Sequence, residues 1–234
     1  MLAILKREMR NYFTSPIGYV YLAVFYFFAG FYFFSSTVLP NTTDLSNVFS
    51  SLFIIALFVL PILTMRLMSE DLKNKTDQAL LTAPVSLFSL VMGKYLAALA
   101  MFVIGISVTL AYALVIALFT PPDWAMLAGH FIGLLLLGSA LAAIGMFISS
   151  LTENQVVAAA GAFAASLGLM LVDGLSSLTQ NDLLKKVMDG LSFNSHYTSF
   201  TQGMLSFKDV VFFLSICAVF LFLTVRVFEK RRWN

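Results

Sequence analysis

The sequence contains 234 residues, of which 60% are hydrophobic and 11% are charged, and its mean hydropathy is +0.91. Soluble globular domains carry about a quarter charged residues, so the composition excludes that class and predicts a membrane protein. The net charge of +2 gives no reason to expect nucleic acid as a partner. The single cysteine, Cys217, allows no disulfide within the chain, and we expect it to be a small core residue.

Six apolar stretches follow one another along the chain, at residues 17–39, 48–65, 95–119, 125–151, 155–172 and 210–225. Each is close to the ~20 residues that a helix needs to cross a hydrocarbon layer of ~30 Å. The predicted fold is therefore all-α, a polytopic membrane protein with six transmembrane helices in a single domain, 1–234. Its parts are an interfacial helix (1–16), spans 1 and 2 (17–65), a cytoplasmic loop (66–94), spans 3 to 5 (95–172), an external segment (173–209), and span 6 with a tail (210–234).

The lysines and arginines indicate the orientation of the spans, because positive residues are retained on the cytoplasmic side. With the amino terminus inside, eleven of the fourteen fall in cytoplasmic segments, and only Lys185, Lys186 and Lys208 lie outside. Both termini are therefore predicted to be cytoplasmic.

The segment before the first span has the pattern of an amphipathic helix. Leu2, Leu5, Met9 and Phe13 recur at helical spacing, with Lys6, Arg7, Glu8 and Arg10 on the other faces. This pattern predicts a helix that lies along the cytoplasmic leaflet. The alternative is a simple positively charged flank of the first span.

The cytoplasmic loop at residues 66–94 is the longest polar interruption in the first half of the chain. Leu72, Ala79, Leu80 and Ala83 fit one face of a short helix, which would suit docking into a groove on a soluble partner. Pro84 either ends this helix or starts the next one, which leads through Leu87 to Met92. The alternative is a solvated charged loop with incidental periodicity.

The fourth and fifth spans carry small residues four positions apart. They are Gly129 and Gly133, Gly138 and Ala142, Gly145 and Ser149, then Ala158, Ala162 and Ser166. Such faces let helices approach closely, either within one subunit or between two subunits. Between these spans lies a second cytoplasmic turn of Thr152, Glu153, Asn154 and Gln155, in which Thr152 and Gln155 have the spacing of a capping box.

The external segment contains one further amphipathic pattern. Leu183, Leu184, Val187, Met188 and Leu191 form an apolar face, which predicts a short external helix. This helix would either cap the exit of a pathway or rest on lipid headgroups.

Residues that could carry catalysis or ion coupling are scarce. No lysine, arginine or carboxylate falls well inside a predicted span, which disfavours an ion-coupled secondary transporter. No metal-ligand cluster is visible, and the only histidines, His130 and His196, lie near the outer side without a partnered nucleophile. Gly93 and Lys94 do not form a P-loop, because Phe88 stands at the required glycine position and Tyr95 follows the lysine. We therefore expect neither catalytic residues nor a metal or cofactor in this chain.

Four stretches together resemble one family. Residues 70–98, EDLKNKTDQALLTAPVSLFSLVMGKYLAA, resemble the first cytoplasmic loop of ABC-2 type permeases, especially the branch with gliding-motility and nitrous-oxide-cluster transporters. KREMRNYFTSPIGYVYLAVF at the start, FISSLTENQVVAA between spans 4 and 5, and LSFNSHYTSFTQGMLSFKDVVFF followed by RRW at the end resemble the same branch. The resemblance thus covers essentially the whole chain.

The resemblance implies a role for the loop. By its position, the loop would hold a coupling helix that contacts an ATPase subunit through Glu70, Asp71, Lys73, Thr76, Gln78, Leu80, Leu81 and Pro84. Two positions depart from the family pattern, since Lys75 stands where many relatives have Gly and Gln78 where many have Glu.

The resemblance also implies the partners and the location of the chain. It would be the permease subunit of an ABC exporter in a bacterial cytoplasmic (inner) membrane, with ATP and Mg bound on the partner. The partners would be two copies of the ATPase, a second permease that is identical or homologous, and the lipid bilayer. The alternatives are a membrane scaffold or receptor that recruits a cytoplasmic protein, and an ion-coupled secondary transporter.

Overall fold

The computed structural model of the chain describes residues 1–76, 86–119, 123–178, 182–204 and 206–233, without the side chains of 173, 175–178, 182–184, 187, 232 and 233. These residues form helices α1 (Leu2–Thr14), α2 (Pro16–Phe33), α3 (Ser46–Thr64), α4 (Ser69–Lys73), α5 (Leu87–Ile106), α6 (Val108–Ala117), α7 (Trp124–Leu151), α8 (Gln155–Leu178), α9 (Asp182–Leu191), α10 (Phe193–Thr201) and α11 (Phe207–Trp233). A π-helical turn, Phe34–Val38, continues α2.

Six helical segments are long and apolar enough to cross a membrane. They are Pro16–Val38, Ser46–Lys73, Leu87–Ala117, Trp124–Leu151, Gln155–Val172 and Phe207–Arg231. A helix is the form that such segments take, because it satisfies every backbone polar group without water. The prediction of an all-α fold with six spans is confirmed.

The second and fourth spans form the centre of the bundle. About two thirds (67%) of their most apolar windows are buried inside the protein, against 17% for the fifth and sixth spans. Helix α7 contacts α3, α5, α8, α10 and α11. The peripheral spans therefore present most of their apolar side chains outward, as expected of helices that face lipid.

The glycines of α7 allow this close packing. A Cβ atom added at Gly138 would lie 2.0 Å from the ring of Phe102, and one added at Gly145 would lie 2.2 Å from Oγ1 of Thr64. Ala158, Ala162 and Ser166 of α8 are also buried within the chain. Of the two interpretations of the small-residue faces, packing within one subunit is the one observed at these positions.

The third span begins earlier than the sequence pattern predicted. Helix α5 starts at Leu87, capped by Ser86, whose hydroxyl accepts a hydrogen bond from the backbone N–H of Ser89 at 3.3 Å. Lys94 therefore lies inside the helix, about two turns from its start, and only 2% of its surface is exposed. Lys94 thus belongs to the span but lies near its basic end, where carboxylates from other elements pair with it.

Helix α1 is present as predicted, but a different face meets the protein. Glu8 and Tyr12 are its buried residues, and the Tyr12 hydroxyl donates a hydrogen bond to the carbonyl of Leu63 at 3.0 Å. Burial raises the pKa of Tyr12, so its phenol stays a neutral donor. Leu2 and Phe13 of the predicted apolar face remain exposed. Leu5 and Met9 of the same face are half-buried, and Met9 packs against the core, so the bundle covers the predicted apolar face only in part.

The two ends of the bundle differ in their residues. The basic end is the one that holds Arg7, Arg66, Lys94 and Arg231, and the opposite end holds Asp44, Asp123 and His130. A helix, α9, is present where the short external helix was predicted, and a second helix, α10, follows it.

Helix α10 packs into the core at the opposite end, which the sequence pattern did not predict. Phe193, Tyr197 and Phe200 are buried, and the Tyr197 hydroxyl donates to the carbonyl of Phe49 at 2.8 Å. His196 of α10 meets Asp209 of α11 with 2.5 Å between Nδ1 and Oδ1. These contacts fix α10 against α3 and α11.

Candidate functional site

The residues predicted to contact an ATPase divide between described and undescribed parts of the chain. Glu70, Asp71, Lys73 and Thr76 are described, and all belong to the basic end. Gln78, Leu80, Leu81 and Pro84 lie outside the described residues. The structure therefore bears on how the first half of the loop is held.

Lys94 is the centre of a buried ion cluster at the basic end. Its Nζ lies 2.7 Å from Oδ2 of Asp71 and 3.1 Å from Oε1 of Glu8, and it donates a hydrogen bond to the carbonyl of Leu67 at 2.6 Å. The Lys94 side chain is 3% exposed, that of Glu8 10%, and that of Asp71 15%. One ammonium group thus joins α1, α4 and α5.

Arg7 completes the charge balance of this cluster. Its guanidinium donates to Oε1 of Glu8 at 2.6 Å and lies 3.7 Å from Oδ2 of Asp71. Partial burial lowers the pKa of Arg7, but the hydrogen bond and the attraction to Glu8 outweigh that effect, so the net shift is upward. Two cations therefore face two carboxylates, which is the arrangement that makes buried charges tolerable.

Arg66 joins the start of the loop to the corner between α1 and α2. Its Nε and Nη2 donate to the two oxygens of Glu70, both at 2.7 Å, and its Nη1 donates to the hydroxyl of Ser15 at 2.5 Å. A forked guanidinium–carboxylate pair fixes direction as well as distance. Ser15 also caps α2 by accepting from the backbone N–H of Ile17. The described loop is thus attached to α1 at two separate places.

Ser149 of α7 holds the turn that leads into the loop. Its hydroxyl accepts hydrogen bonds from the backbone N–H groups of Met68 at 3.1 Å and Ser69 at 3.0 Å, and it donates to the carbonyl of Met65 at 2.8 Å. Ser149 is fully buried. This one hydroxyl therefore satisfies three backbone groups of the turn between α3 and α4, and it ties that turn to the end of α7.

The turn predicted to be the second cytoplasmic one, Thr152 to Gln155, lies just beyond Ser149. Asn154 caps α8, because its Oδ1 accepts from the backbone N–H of Val156 at 2.9 Å, while the Thr152 hydroxyl accepts from the N–H of Asn154. The predicted capping box is therefore wrong, since α8 begins at Gln155. Glu153 and Asn154 are exposed, as residues that meet a partner must be.

Lys75 has a backbone conformation that favours glycine. Helix α4 ends at Lys73, and Lys75 has a φ of 55°, in the left-handed region. An L-residue there costs about 1–2 kcal/mol, whereas glycine has no such cost. The resemblance drawn from the sequence implies Gly at this position. The expectation of one continuous helix from Leu72 to Ala83 is also wrong. Leu72 belongs to α4, which ends at Lys73, and the left-handed conformation of Lys75 interrupts a helix.

The sequence pattern missed Lys94 and Glu8 as members of the site. Glu8 had been assigned to the polar face of α1, and Lys94 to the end of the loop. One signal was available, because a lysine beside a long apolar run needs a nearby carboxylate if the helix continues through it. The pattern gave no means to choose Glu8 and Asp71 among the carboxylates.

The interactions described at this site are structural ones that hold helices together. In the part of the chain that the structure describes, no three His, Cys, Asp or Glu side chains are close enough to hold a metal ion. Its ion pairs join helices to one another. Together with six apolar spans, these features define a multi-pass membrane protein whose basic end is cross-linked by charge.

The comparison with known families agrees with that class. Residues 2–233 match the family described as ABC-2 family transporter protein, so the chain belongs to that family. Its members are non-catalytic membrane subunits of ABC transporters, and they typically bind no cofactor. Membership of this family implies an ATPase partner. No curated protein matches the chain.

Proposed function

We propose that this chain is the permease subunit of an ABC exporter in a bacterial cytoplasmic membrane, with both termini in the cytoplasm. It would work with two copies of an ATPase that bind ATP and Mg, and with a second permease that is identical or homologous. The family match supports the transporter assignment. The four sequence stretches support the gliding-motility and nitrous-oxide-cluster branch, and the distribution of lysine and arginine supports the orientation.

The ATPase contact in this proposal is the loop at residues 66–94. Its contact residues would be Glu70, Asp71, Lys73, Thr76, Gln78, Leu80, Leu81 and Pro84, assisted by Thr152, Glu153, Asn154 and Gln155 of the second turn. The observation that carries this proposal is the attachment of the loop by Lys94 and Ser149. A loop fixed to α1, α5 and α7 passes a displacement to those helices as a rigid body.

The test is a substitution at the centre of the proposed docking helix. Leu80→Asp places a charge where an apolar contact is expected, whereas Leu80→Met keeps an apolar side chain of similar size. We expect both variants to insert into the membrane, and only Leu80→Asp to lose the copurified ATPase or the ATP hydrolysis of the complex. A Leu80→Asp complex with normal assembly and hydrolysis would refute the assignment of the loop.

Copurification also separates this proposal from the two alternatives. A scaffold or receptor would recover a soluble partner without ATPase activity. A secondary transporter would move its substrate on an ion gradient without nucleotide. The buried charges do not favour the second alternative, because Lys94 is paired with Glu8 and Asp71 at one end of the bundle instead of standing alone at its middle.

A further inference from the structure

The last turn of α7, at the basic end of the bundle, has a backbone carbonyl that its own helix leaves without a donor. An α-helix cannot satisfy its last four carbonyls, and α7 ends at Leu151, so the carbonyl of Ser150 is one of them. Thr152, which follows, has an extended backbone instead of the left-handed residue that often closes a helix. Ser150 is fully buried, so this carbonyl needs a donor from another element of the protein.

The guanidinium of Arg231 supplies that donor. Its Nη2 lies 3.2 Å from the carbonyl oxygen of Ser150 and donates a hydrogen bond to it. A cation at the C-terminal end of a helix is also favoured by the helix dipole. Arg231 belongs to α11 and lies 81 positions further along the chain than Ser150. Helix α7 is thus capped by a side chain from a different helix.

Packing of α11 holds Arg231 in place for this contact. Thr224, Phe228 and Arg231 are spaced by four and three residues, which puts them on one helical face. Thr224 is fully buried and Phe228 is 1% exposed. One further contact joins the two helices, because the rings of Phe147 on α7 and Phe220 on α11 lie 5.6 Å apart, centre to centre. The charged end of α11 is therefore a packed extension of the sixth span up to Arg231.

The capped end of α7 leads directly into the turn at residues 152–155. Within this turn, the Thr152 hydroxyl accepts from the N–H of Asn154, and the Asn154 side chain accepts from the N–H of Val156. These two hydrogen bonds are local and do not join the turn to other helices. Just before the turn, Ser149 bonds to the segment between α3 and α4, and Arg231 attaches α11. The direction in which the turn projects therefore depends on both attachments.

We propose that Arg231 is a positioning residue for the ATPase contact, because its cap on α7 holds the turn at residues 152–155 in the orientation that the ATPase meets. This inference rests on the proposed function, since it takes an ATPase as the partner of that turn. Arg231 acts through the carbonyl of Ser150 and does not itself touch the ATPase. A turn fixed to both α7 and α11 passes a displacement to the two helices together.

The first experiment measures the cap in the full chain by itself, through amide hydrogen exchange in nanodiscs. Arg231→Met removes the donor but keeps a long apolar stem for packing. We expect exchange at residues 152–158 to become at least threefold faster, while exchange at the middle of α7 stays as in the wild type. Arg231→Lys keeps a positive donor and should restore at least half of the lost protection. Lys230→Met removes a charge from the adjacent, exposed position and should change nothing.

The second experiment uses the complex that copurifies with the chain and measures ATP hydrolysis. Because ATP would bind on the partner subunit, a misdirected turn should lower kcat at least threefold and leave the KM for ATP unchanged. A residue that served only stability would lower the yield of the complex without changing kcat per complex. We expect Arg231→Lys to recover at least half of the wild-type kcat, and Lys230→Met to match the wild type.

Two results would overturn the inference while leaving the proposed function intact. Wild-type exchange at residues 152–158 in Arg231→Met would refute the cap, and faster exchange with unchanged kcat would refute the positioning role. If the wild-type chain copurifies with no ATPase, the proposed function fails and the role toward an ATPase fails with it, whereas the exchange experiment still decides the contact with Ser150. If Arg231→Met does not fold, Arg231→Gln takes its place with the same expected results, because its side chain is too short to keep the contact.

Discussion

Charged side chains at the basic end and at the opposite end of this bundle have different kinds of interaction partner. At the basic end, the ammonium of Lys94 and the guanidinium of Arg7 meet the carboxylates of Glu8 and Asp71, so each buried charge has a partner from this chain. At the opposite end, Asp44, Asp123 and His130 line a cavity whose described lining includes neither lysine nor arginine. The buried carboxylates of the basic end are thus paired with cations, whereas Asp44 and Asp123 accept from hydroxyl and backbone N–H groups in the described contacts.

This difference indicates what each end can do. Paired charges between helices resist relative motion, because separating them leaves a charge buried alone. Exposed carboxylates such as Asp44 and Asp123 stay solvated, so they contribute little to holding helices together. We therefore expect substitutions of the buried pairs at the basic end to affect stability and coupling more than substitutions of the exposed carboxylates Asp44 and Asp123.

The largest expected effect comes from removing the central cation. Lys94→Met leaves Glu8 and Asp71 buried with only the half-exposed Arg7 as a neighbour, and the loss of one partner of a buried pair costs about 3–5 kcal/mol. We expect a clearly lower midpoint of thermal unfolding for the protein purified in detergent. Lys73→Met, at an exposed position of the same loop, is the control.

A second variant tests whether the pairing itself is the cause. Glu8→Gln combined with Lys94→Met removes one charge of each sign, so the double variant should lose less stability than the sum of the two single variants. Equal loss of stability for Lys94→Met and Lys73→Met would contradict the buried cluster.

A smaller effect is expected where the opposite end is held by packing. A Cβ atom added at Gly133 would lie 2.4 Å from Cβ of Phe200, which is fully buried in α10. Gly133→Ala should therefore destabilise the protein by about 1–3 kcal/mol through overpacking. Gly168→Ala, where the new Cβ meets nothing within 4 Å, is the matched control. Thermal unfolding that ranks the two variants equally would argue against a packed α10.

The hydroxyl of Ser149 should have an effect of similar or smaller size. Ser149→Ala leaves the N–H groups of Met68 and Ser69 without the acceptor that they share, and an unsatisfied buried group costs about 1–3 kcal/mol. We expect faster amide exchange in the turn between α3 and α4. Ser215→Ala, an exposed serine on α11 that bonds only within its own helix among the described contacts, should exchange like the wild type.

The smallest effect has the opposite sign. Lys75→Gly relieves a left-handed backbone conformation and should stabilise the turn after α4 by about 1 kcal/mol. Lys73→Gly, which puts glycine inside α4, should destabilise it by a similar amount. Hydrogen exchange at residues 72–76 measures both changes. Slower exchange in Lys73→Gly than in Lys75→Gly would show that the left-handed conformation is absent in the membrane.

The spans could be predicted because hydropathy is a local property. A run of apolar residues long enough to cross a bilayer needs no knowledge of its neighbours. The start of α5 was misplaced for the opposite reason. Whether a helix continues through Lys94 depends on Glu8 and Asp71, which come from two other elements of the chain. Periodicity within a window cannot supply such partners.

Helix α10 was missed although a signal existed. Phe193, Tyr197 and Phe200 are spaced by four and three residues, which puts them on one helical face. The other residues between them, Asn194, Ser195, His196, Thr198 and Ser199, are polar, which is a composition typical of a loop. Lys75 shows the reverse case. The resemblance implied Gly at this position, and the structure has there the positive φ that glycine favours.

The order of Glu8, Asp71 and Lys94 along the chain has a consequence for biogenesis. Both carboxylates are synthesised before the lysine, so the third span can reach the membrane when its counter-charges are already present. An unpaired lysine at the centre of an inserting helix costs about 2.5–3.5 kcal/mol, although less near its end. We expect a chain that starts at residue 16 to insert its third span less efficiently, which glycosylation mapping would measure. The amino-terminal helix then acts as an intramolecular insertion aid as well as a part of the finished protein.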